Sequence, residues 1–186
     1  MIRSIVSTAA VIALATSALF ASPIYNQQTG HYYEAISGTI TWDAAKTAAE
    51  TMTLYGVSGH LATVADSSEN SFLLNTVLAD KTGFNWWLGG TQPAASTEPA
   101  GGWKWVTGES IDWFNWYATE PSNDNGLENS LQLLYRDDFS PTAYKGYWND
   151  QKNTGTSAGY IVEYSVPEPL TMTLLALGGC MLVRRK

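Results

Sequence analysis

Gly59-His60-Leu61-Ala62-Thr63-Val64-Ala65-Asp66-Ser67-Ser68-Glu69 is the stretch on which the fold turns. Its first six residues carry no helical period and predict a short strand or extended link. Asp66, followed three residues later by Glu69, has the form of a capping box with Asp in the Ser or Thr role, so a helix starts there. Leu74, Val77 and Leu78 supply the apolar face of that helix. Upstream, Thr41 reads as the N-cap of an earlier helix in which Trp42, Ala45, Ala49 and Met52 form one apolar stripe, with Gly56 ending the unit. Downstream the period changes. Trp86-Trp87-Leu88-Gly89-Gly90-Thr91 is a short aromatic strand ending in glycines, Gly102-Trp103-Lys104-Trp105-Val106 alternates bulky and polar, and Thr107-Gly108-Glu109 reads as a turn. Leu131-Gln132-Leu133-Leu134-Tyr135 and Gly159-Tyr160-Ile161-Val162-Glu163-Tyr164 are later strands, and the polar residues 121–126 form a loop of the kind that carries function. Helices first and strands after predict an α+β domain with segregated elements.

The chain of 186 residues has room for one domain with its own core, and eight Trp and ten Tyr make that core aromatic. Trp87, Trp103, Trp105, Trp113, Trp116 and Trp148 read as core residues rather than an exposed stacking platform. Cys180 is the only cysteine. It lies in an apolar C-terminal run, so the domain has no disulfide and no thiolate ligand, and zinc–thiolate or cysteine-nucleophile chemistry is excluded. Residues 1–21 have a basic start at Arg3, an uncharged apolar stretch, and small residues at Ala18 and Ala21, which predicts a signal peptide cleaved near Ala21; an uncleaved anchor is the alternative. Within 22–165, six Lys or Arg stand against sixteen Asp or Glu, a net charge of −10. Nucleic acid is therefore not an expected partner. Such acidity is compatible with divalent cations, with neutral sugars, or with plain solubility.

The other end, 166–186, reads Val166-Pro167-Glu168-Pro169, then an uncharged run over 170–183, then Arg184-Arg185-Lys186. A helix of that run rises about 1.5 Å per residue and falls short of a hydrocarbon core of roughly 30 Å. The order of the three parts resembles the PEP-CTERM sorting signal of Gram-negative bacteria, which implies a short transmembrane helix, processing by an exosortase, and a destination at the cell envelope, cell surface or extracellular matrix. A simple C-terminal membrane anchor is the alternative. His60 and His31 have no motif partner and read as structural or surface residues.

Gly59 to Val64 leading into the second helix, Trp87-Leu88-Gly89-Gly90, Glu120-Pro121-Ser122, Trp148-Asn149-Asp150 and the closing Tyr160 to Tyr164 stand in the order found in the C-type lectin-like domain. The resemblance covers most of 31–165. It implies two helices flanking antiparallel sheets, paired N- and C-terminal strands, and a long irregular loop region carrying the ligand site. It also implies a Ca²⁺ ion, with ligands carried over as Glu120, Ser122, Glu128, Asn149 and Asp150, and sugar contacts at Glu120, Asn123, Glu128, Asn149 and Asp150. The Glu-Pro bond is cis in that family. Independently, three carboxylates and an amide suit a hard cation that takes six to eight oxygens.

One position departs from the motif. The family has Asn where this chain has Ser122, whose hydroxyl is shorter and a poorer ligand; Asn123 follows directly as the substitute. A site of this kind binds two vicinal sugar hydroxyls and makes or breaks no bond, so an exported, calcium-dependent carbohydrate-binding module is expected, with a glycan or extracellular polysaccharide as partner. Two other readings stand beside it. A metal-independent adhesion module could share the fold. A glycosidase could use Glu120 and Glu128 as acid and nucleophile, but the carboxylates are better explained as ion ligands, and no His, Ser or Cys constellation supports catalysis.

Overall fold

The computed structural model describes residues 22–83, 85–135 and 144–166, and in it one mixed sheet of eight strands separates two helices. Residues 1–21 and 167–186 lie outside the described part, so the predicted signal peptide and nearly all of the sorting tail lie outside it too. Among the described residues no helix is long and apolar enough to cross a membrane.

The elements run β1 (Ile24–Asn26), β2 (His31–Thr41), α1 (Trp42–Thr51), β3 (Thr53–Leu54), β4 (Val57–Ser58), β5 (His60–Leu61), α2 (Ser67–Phe72), β6 (Trp86–Thr91), β7 (Lys104–Trp105), β8 (Glu128–Leu133), β9 (Trp148–Lys152) and β10 (Thr156–Tyr164). The large sheet is ordered β1-β2-β10-β6-β8-β9, with β5 added to β10 and β7 to β6; β3 and β4 form a separate hairpin. The first and last long strands pair antiparallel, from Thr156 opposite Thr41 to Tyr164 opposite Tyr32. The expected all-antiparallel pairing has one exception: β10 runs parallel to β6, with Gly159 beside Trp86 and Tyr160 beside Trp87.

Alternation along β10 divides the core in two, because successive side chains point to opposite faces. Tyr160, Val162 and Tyr164 pack with Trp42, Ala45 and Ala49 of α1 and with Trp87. Ile161 packs on the other face with Trp86, Leu88, Leu131, Leu133, Trp148 and the α2 side residues Leu73, Val77 and Leu78. Trp87 and Trp148 are fully buried, Trp103 and Trp105 nearly so, and Trp113 and Trp116 pack partly buried against the second cluster. Helix α1 starts where its cap predicts, with Thr41 Oγ1 accepting the Ala44 N–H. At α2, Asp66 Oδ1 accepts the N–H groups of Ser68 and Glu69 at 2.8 and 2.9 Å. The reciprocal half of the box is displaced by one residue: Glu69 Oε2 accepts from Ala65 N–H at 2.7 Å. The α-helix is also shorter than its apolar pattern suggests. Leu73–Val77 winds as a π turn closed by Leu78 N–H to the Leu73 carbonyl at 3.0 Å, and the extra residue per turn lets Leu73, Val77 and Leu78 all bury.

On the α2 face a polar clasp adds to the hydrophobic packing. His31 Nδ1 lies 2.6 Å from Glu163 Oε1, and Glu163 Oε2 accepts from the Thr63 N–H and hydroxyl at 2.7 and 2.9 Å. The neighbouring Glu69 Oε1 accepts from the Tyr33 hydroxyl at 2.5 Å. Four segments, β1–β2, β5–α2, α2 and β10, are thereby tied by two carboxylates that are almost completely buried. His31 is structural, as expected. Its hydrogen bond to Glu163 raises its pKa above the ordinary histidine value against the opposing effect of burial, and the charges of Glu163, Glu69 and Glu109 add to the rise. Burial likewise raises Glu69.

Two predictions follow from packing and charge. A Cβ on Gly159 would collide with the Ile36 carbonyl oxygen and the Trp86 ring, neither of which can swing away. Gly159→Ala is expected to lower unfolding free energy by roughly 3 kcal/mol, read by urea denaturation. Because the folded state holds a proton more tightly at His31 than the unfolded chain does, the stability from His31 is full below the ordinary histidine pKa and is lost as pH rises through the raised one. The melting temperature should fall as pH rises above the ordinary histidine pKa of about 6.5, and His31→Ala should remove most of that slope, about 0.5–1 kcal/mol for a partly exposed pair.

Candidate functional site

The loop that precedes β8 is stitched at its base to the start of β9. Tyr117 N–H donates to the Trp148 carbonyl at 2.9 Å, and Glu120 N–H to the Tyr117 carbonyl at 2.8 Å. Glu120-Pro121 is cis, as the resemblance implied; Glu98-Pro99 is cis as well. Asn123 and Asn125 then adopt left-handed backbone conformations, φ 47° and 58°, which Asn tolerates better than most residues. Asn123 precedes, and Asn125 lies within, a tight turn at Asp124–Gly126, closed by Gly126 N–H to the Asn123 carbonyl at 2.8 Å.

Two buried carboxylates hold this loop in shape. Asp150, fully buried on β9, accepts the Ser122 N–H at Oδ1 (3.0 Å) and the Asn123 N–H at Oδ2 (2.8 Å). Glu128 Oε2 accepts the Ser122 hydroxyl at 3.0 Å and the Asp124 N–H at 2.8 Å, while its own N–H donates to Asn123 Oδ1 at 3.2 Å. The β8–β9 register sets Asp150 opposite Leu131 and Asn149 opposite Gln132. Asn149 donates its side-chain amide to the Asp150 carbonyl.

Glu120 differs from the other two. Its Oε2 is buried without a hydrogen-bond partner. Burial pushes its carboxyl above the usual carboxylate range; a hydrogen bond with Ser122 opposes the rise, and the adjacent carboxylates of Asp150 and Glu128 reinforce it. An unpaired buried carboxylate oxygen beside two further carboxylates has unmet demand for positive charge.

The structure thus gathers Glu120, Ser122, Asn123, Glu128 and Asp150 into one network, with Asn149 next to Asp150 on β9. The departure at position 122 acquires a role: the Ser122 hydroxyl lies between two carboxylates, donating to Glu128 and easing the rise at Glu120, and Asn123 is turned back onto the Glu128 amide. Among the described residues no group of three or more His, Cys, Asp or Glu side chains is arranged to hold a metal ion, consistent with Glu128 facing the loop's own donors. The donor chemistry nonetheless suits Ca²⁺, because it consists of carboxylate and amide oxygens and includes the orphaned Glu120 oxygen. Sequence reasoning missed the main-chain N–H of Asp124, which no side-chain pattern signals. It also missed three tyrosines beside the loop, with the Tyr117 ring in contact with those of Tyr144 and Tyr147.

A family model described as the lectin C-type domain matches residues 36–161. The chain is 34% identical over 151 residues to halomucin of Haloquadratum walsbyi, covering 76% of this chain and 2% of halomucin. It is 30% identical over 136 residues to a perlucin-like protein of Mytilus galloprovincialis, covering 72% of this chain and 76% of that one. Several further relatives are matched over only 35–57% of their own length. Among solved structures, the cow carbohydrate-recognition domain of CD23 in the presence of a GlcNAc2Man3 oligosaccharide superposes with a TM-score of 0.61 at 21% identity, over 80% of this chain and 96% of that one. At that identity the likeness is one of fold.

Removing Asp150 leaves two loop N–H groups without their acceptor and should destabilise the protein even in EDTA. Asp150→Ala is expected to cost about 3 kcal/mol in urea unfolding, whereas Ser122→Ala, which leaves Glu128 bonded to Asp124, should cost less than about 1 kcal/mol.

Proposed function

Because the chain belongs to the C-type lectin domain family, we propose that it is an exported carbohydrate-binding module whose 120–128 loop, with Asn149 and Asp150, engages sugar hydroxyls through Ca²⁺. The observation that carries this reading is the buried, unpartnered Glu120 Oε2 beside Asp150 and Glu128. A hard cation satisfies such an oxygen and relieves the repulsion among its neighbours. When bound, Ca²⁺ supplies a positive centre able to ligate two vicinal hydroxyls.

The chain's own residues do the rest. Glu120, Glu128 and Asp150 provide the negative charge, and Asn149 and Asn123 provide amide groups that can both donate to hydroxyls and accept from them. Ser122 contributes indirectly, by positioning Glu128. No bond is made or broken. The partner we infer is a neutral glycan or extracellular polysaccharide, in keeping with an acidic domain and with the oligosaccharide present in the CD23 structure. Export through residues 1–21, and sorting through 166–186 by an exosortase-type enzyme to the cell surface or matrix of a Gram-negative-type bacterium, belong to the same reading.

A second reading has a specific observation in its favour. Glu128 and Asp150 are already satisfied by donors of the loop itself, which is what a metal-independent adhesion module of the same fold requires.

Calcium titration calorimetry separates the two. Saturable binding by the wild-type protein, weakened at least about tenfold in Glu120→Gln, corresponding to about 1.4 kcal/mol, with glycan retention abolished by EDTA, is the expected outcome. A folded protein that takes up no Ca²⁺ at millimolar concentration would leave the adhesion module.

A further inference from the structure

Three tyrosines stand outside both core clusters and beside the proposed sugar loop. The Tyr117 and Tyr144 rings lie 4.6 Å apart at 45°, and Tyr147 meets Tyr117 edge-on at 6.0 Å and 75°. Tyr147 is 41% exposed. Their main chains are pinned. Tyr117 N–H bonds to the Trp148 carbonyl at 2.9 Å, Tyr147 N–H to Tyr144 at 3.2 Å, and the Tyr147 carbonyl accepts from Leu134 at 2.8 Å. These main-chain bonds fix the positions from which the three side chains extend, and the ring contacts at Tyr117 limit their rotamers, which lowers the ordering cost of binding.

Its position ties it to the site. Tyr117 holds the Glu120 N–H, and Tyr147 precedes Asn149 by two residues. In extended backbone, side chains two apart share a face about 7 Å from one another. The burial pattern agrees: Trp148 and Asp150 are buried, while Tyr147 and Asn149 open outward. A pyranose ring has an apolar C–H face and a rim of hydroxyls, and a tyrosine offers a flat apolar ring with a polar tip to match both. The Tyr117 phenol stays protonated, its pKa raised first by its hydrogen bond with Tyr144.

We propose that Tyr117, Tyr144 and Tyr147 form a second saccharide subsite, stacking against the pyranose that adjoins the one held at the 120–128 loop, so that the protein reads a polymer rather than a terminal monosaccharide. This rests on the proposed carbohydrate-binding function and deepens it. An exposed aromatic cluster of this kind is also what a protein partner would use, and the test distinguishes them.

The experiment measures affinity of the purified protein for methyl α-mannoside and for linear manno- and gluco-oligosaccharides of two to six units, in Ca²⁺ and in EDTA, with tyrosine fluorescence as a second readout. Wild type should bind oligomers more tightly than the monosaccharide. Tyr147→Ala should lose about tenfold of that gain, the size of one aromatic contact, with monosaccharide affinity and melting temperature unchanged; Glu120→Gln should weaken mono- and oligosaccharide alike. Oligomer binding in EDTA that quenches tyrosine fluorescence and is lost in Tyr147→Ala would remove the calcium reading and keep the subsite. A length gain that survives Tyr147→Ala, or no saccharide bound in either buffer, would overturn the subsite and leave the cluster as a protein-binding surface.

Discussion

Everything in this molecule hangs on β10 being inserted between β2 and β6. That strand pairs with the first long strand, β2, in an antiparallel ladder, and its parallel contact with β6 joins both to the arm that carries the site. Its period of two feeds Tyr160, Val162 and Tyr164 into one core and Ile161 into the other. Gly159 is small because the Trp86 ring and the β2 backbone meet there. With no disulfide available to the domain, this pairing and the two aromatic cores hold the fold.

The sheet then builds outward to the loop. β6 pairs β8, and β8 pairs β9, so Glu128 and Asp150 enter the same region from adjacent strands. Buried carboxylates occur in pairs of places here, and they are handled differently. Glu163 and Glu69 are saturated by His31, Thr63, Ala65 and Tyr33, and act as fasteners between α2 and the sheet. Glu128 and Asp150 are saturated by loop N–H groups and act as a spool for the loop. Among the carboxylates of the described residues, Glu120 keeps a buried oxygen without a partner, and that asymmetry is what the proposed cation would answer.

The motifs legible in the chain were those whose physics is local. The Thr41 and Asp66 caps need only neighbours within three residues, and both side chains cap as expected, with only the Glu69 half of the box shifted to Ala65. The aromatic strand at Trp86–Thr91 and the burial of the tryptophans follow from side-chain size and alternation. The 11-residue strand His31–Thr41 was not legible, because its polar and small residues, among them Ser37, Gly38 and Thr39, carry no clear alternation; its partner β10 imposes the extended form. Strand β9 was hidden for the same reason: Trp148-Asn149-Asp150-Gln151-Lys152 is too polar to announce a strand. The π turn at Leu73–Val77 arises from the demand of the core for three leucine and valine side chains, a demand invisible along a single helix.

The sequence by itself determined the fold class, the placement of both helix starts and the aromatic core, and it named the oxygen-bearing residues of the proposed loop site, since composition, capping and motif order are properties of the linear chain. Only the tertiary structure decided which of those oxygens are already used. That Ser122 serves Glu128, that Asp150 holds two main-chain N–H groups, that Glu120 is left wanting, and that Tyr117, Tyr144 and Tyr147 meet beside them depends on residues brought together from β8, β9 and the intervening loops. Hydrogen bonds and ring contacts act over a few ångströms in space, whatever the separation along the chain.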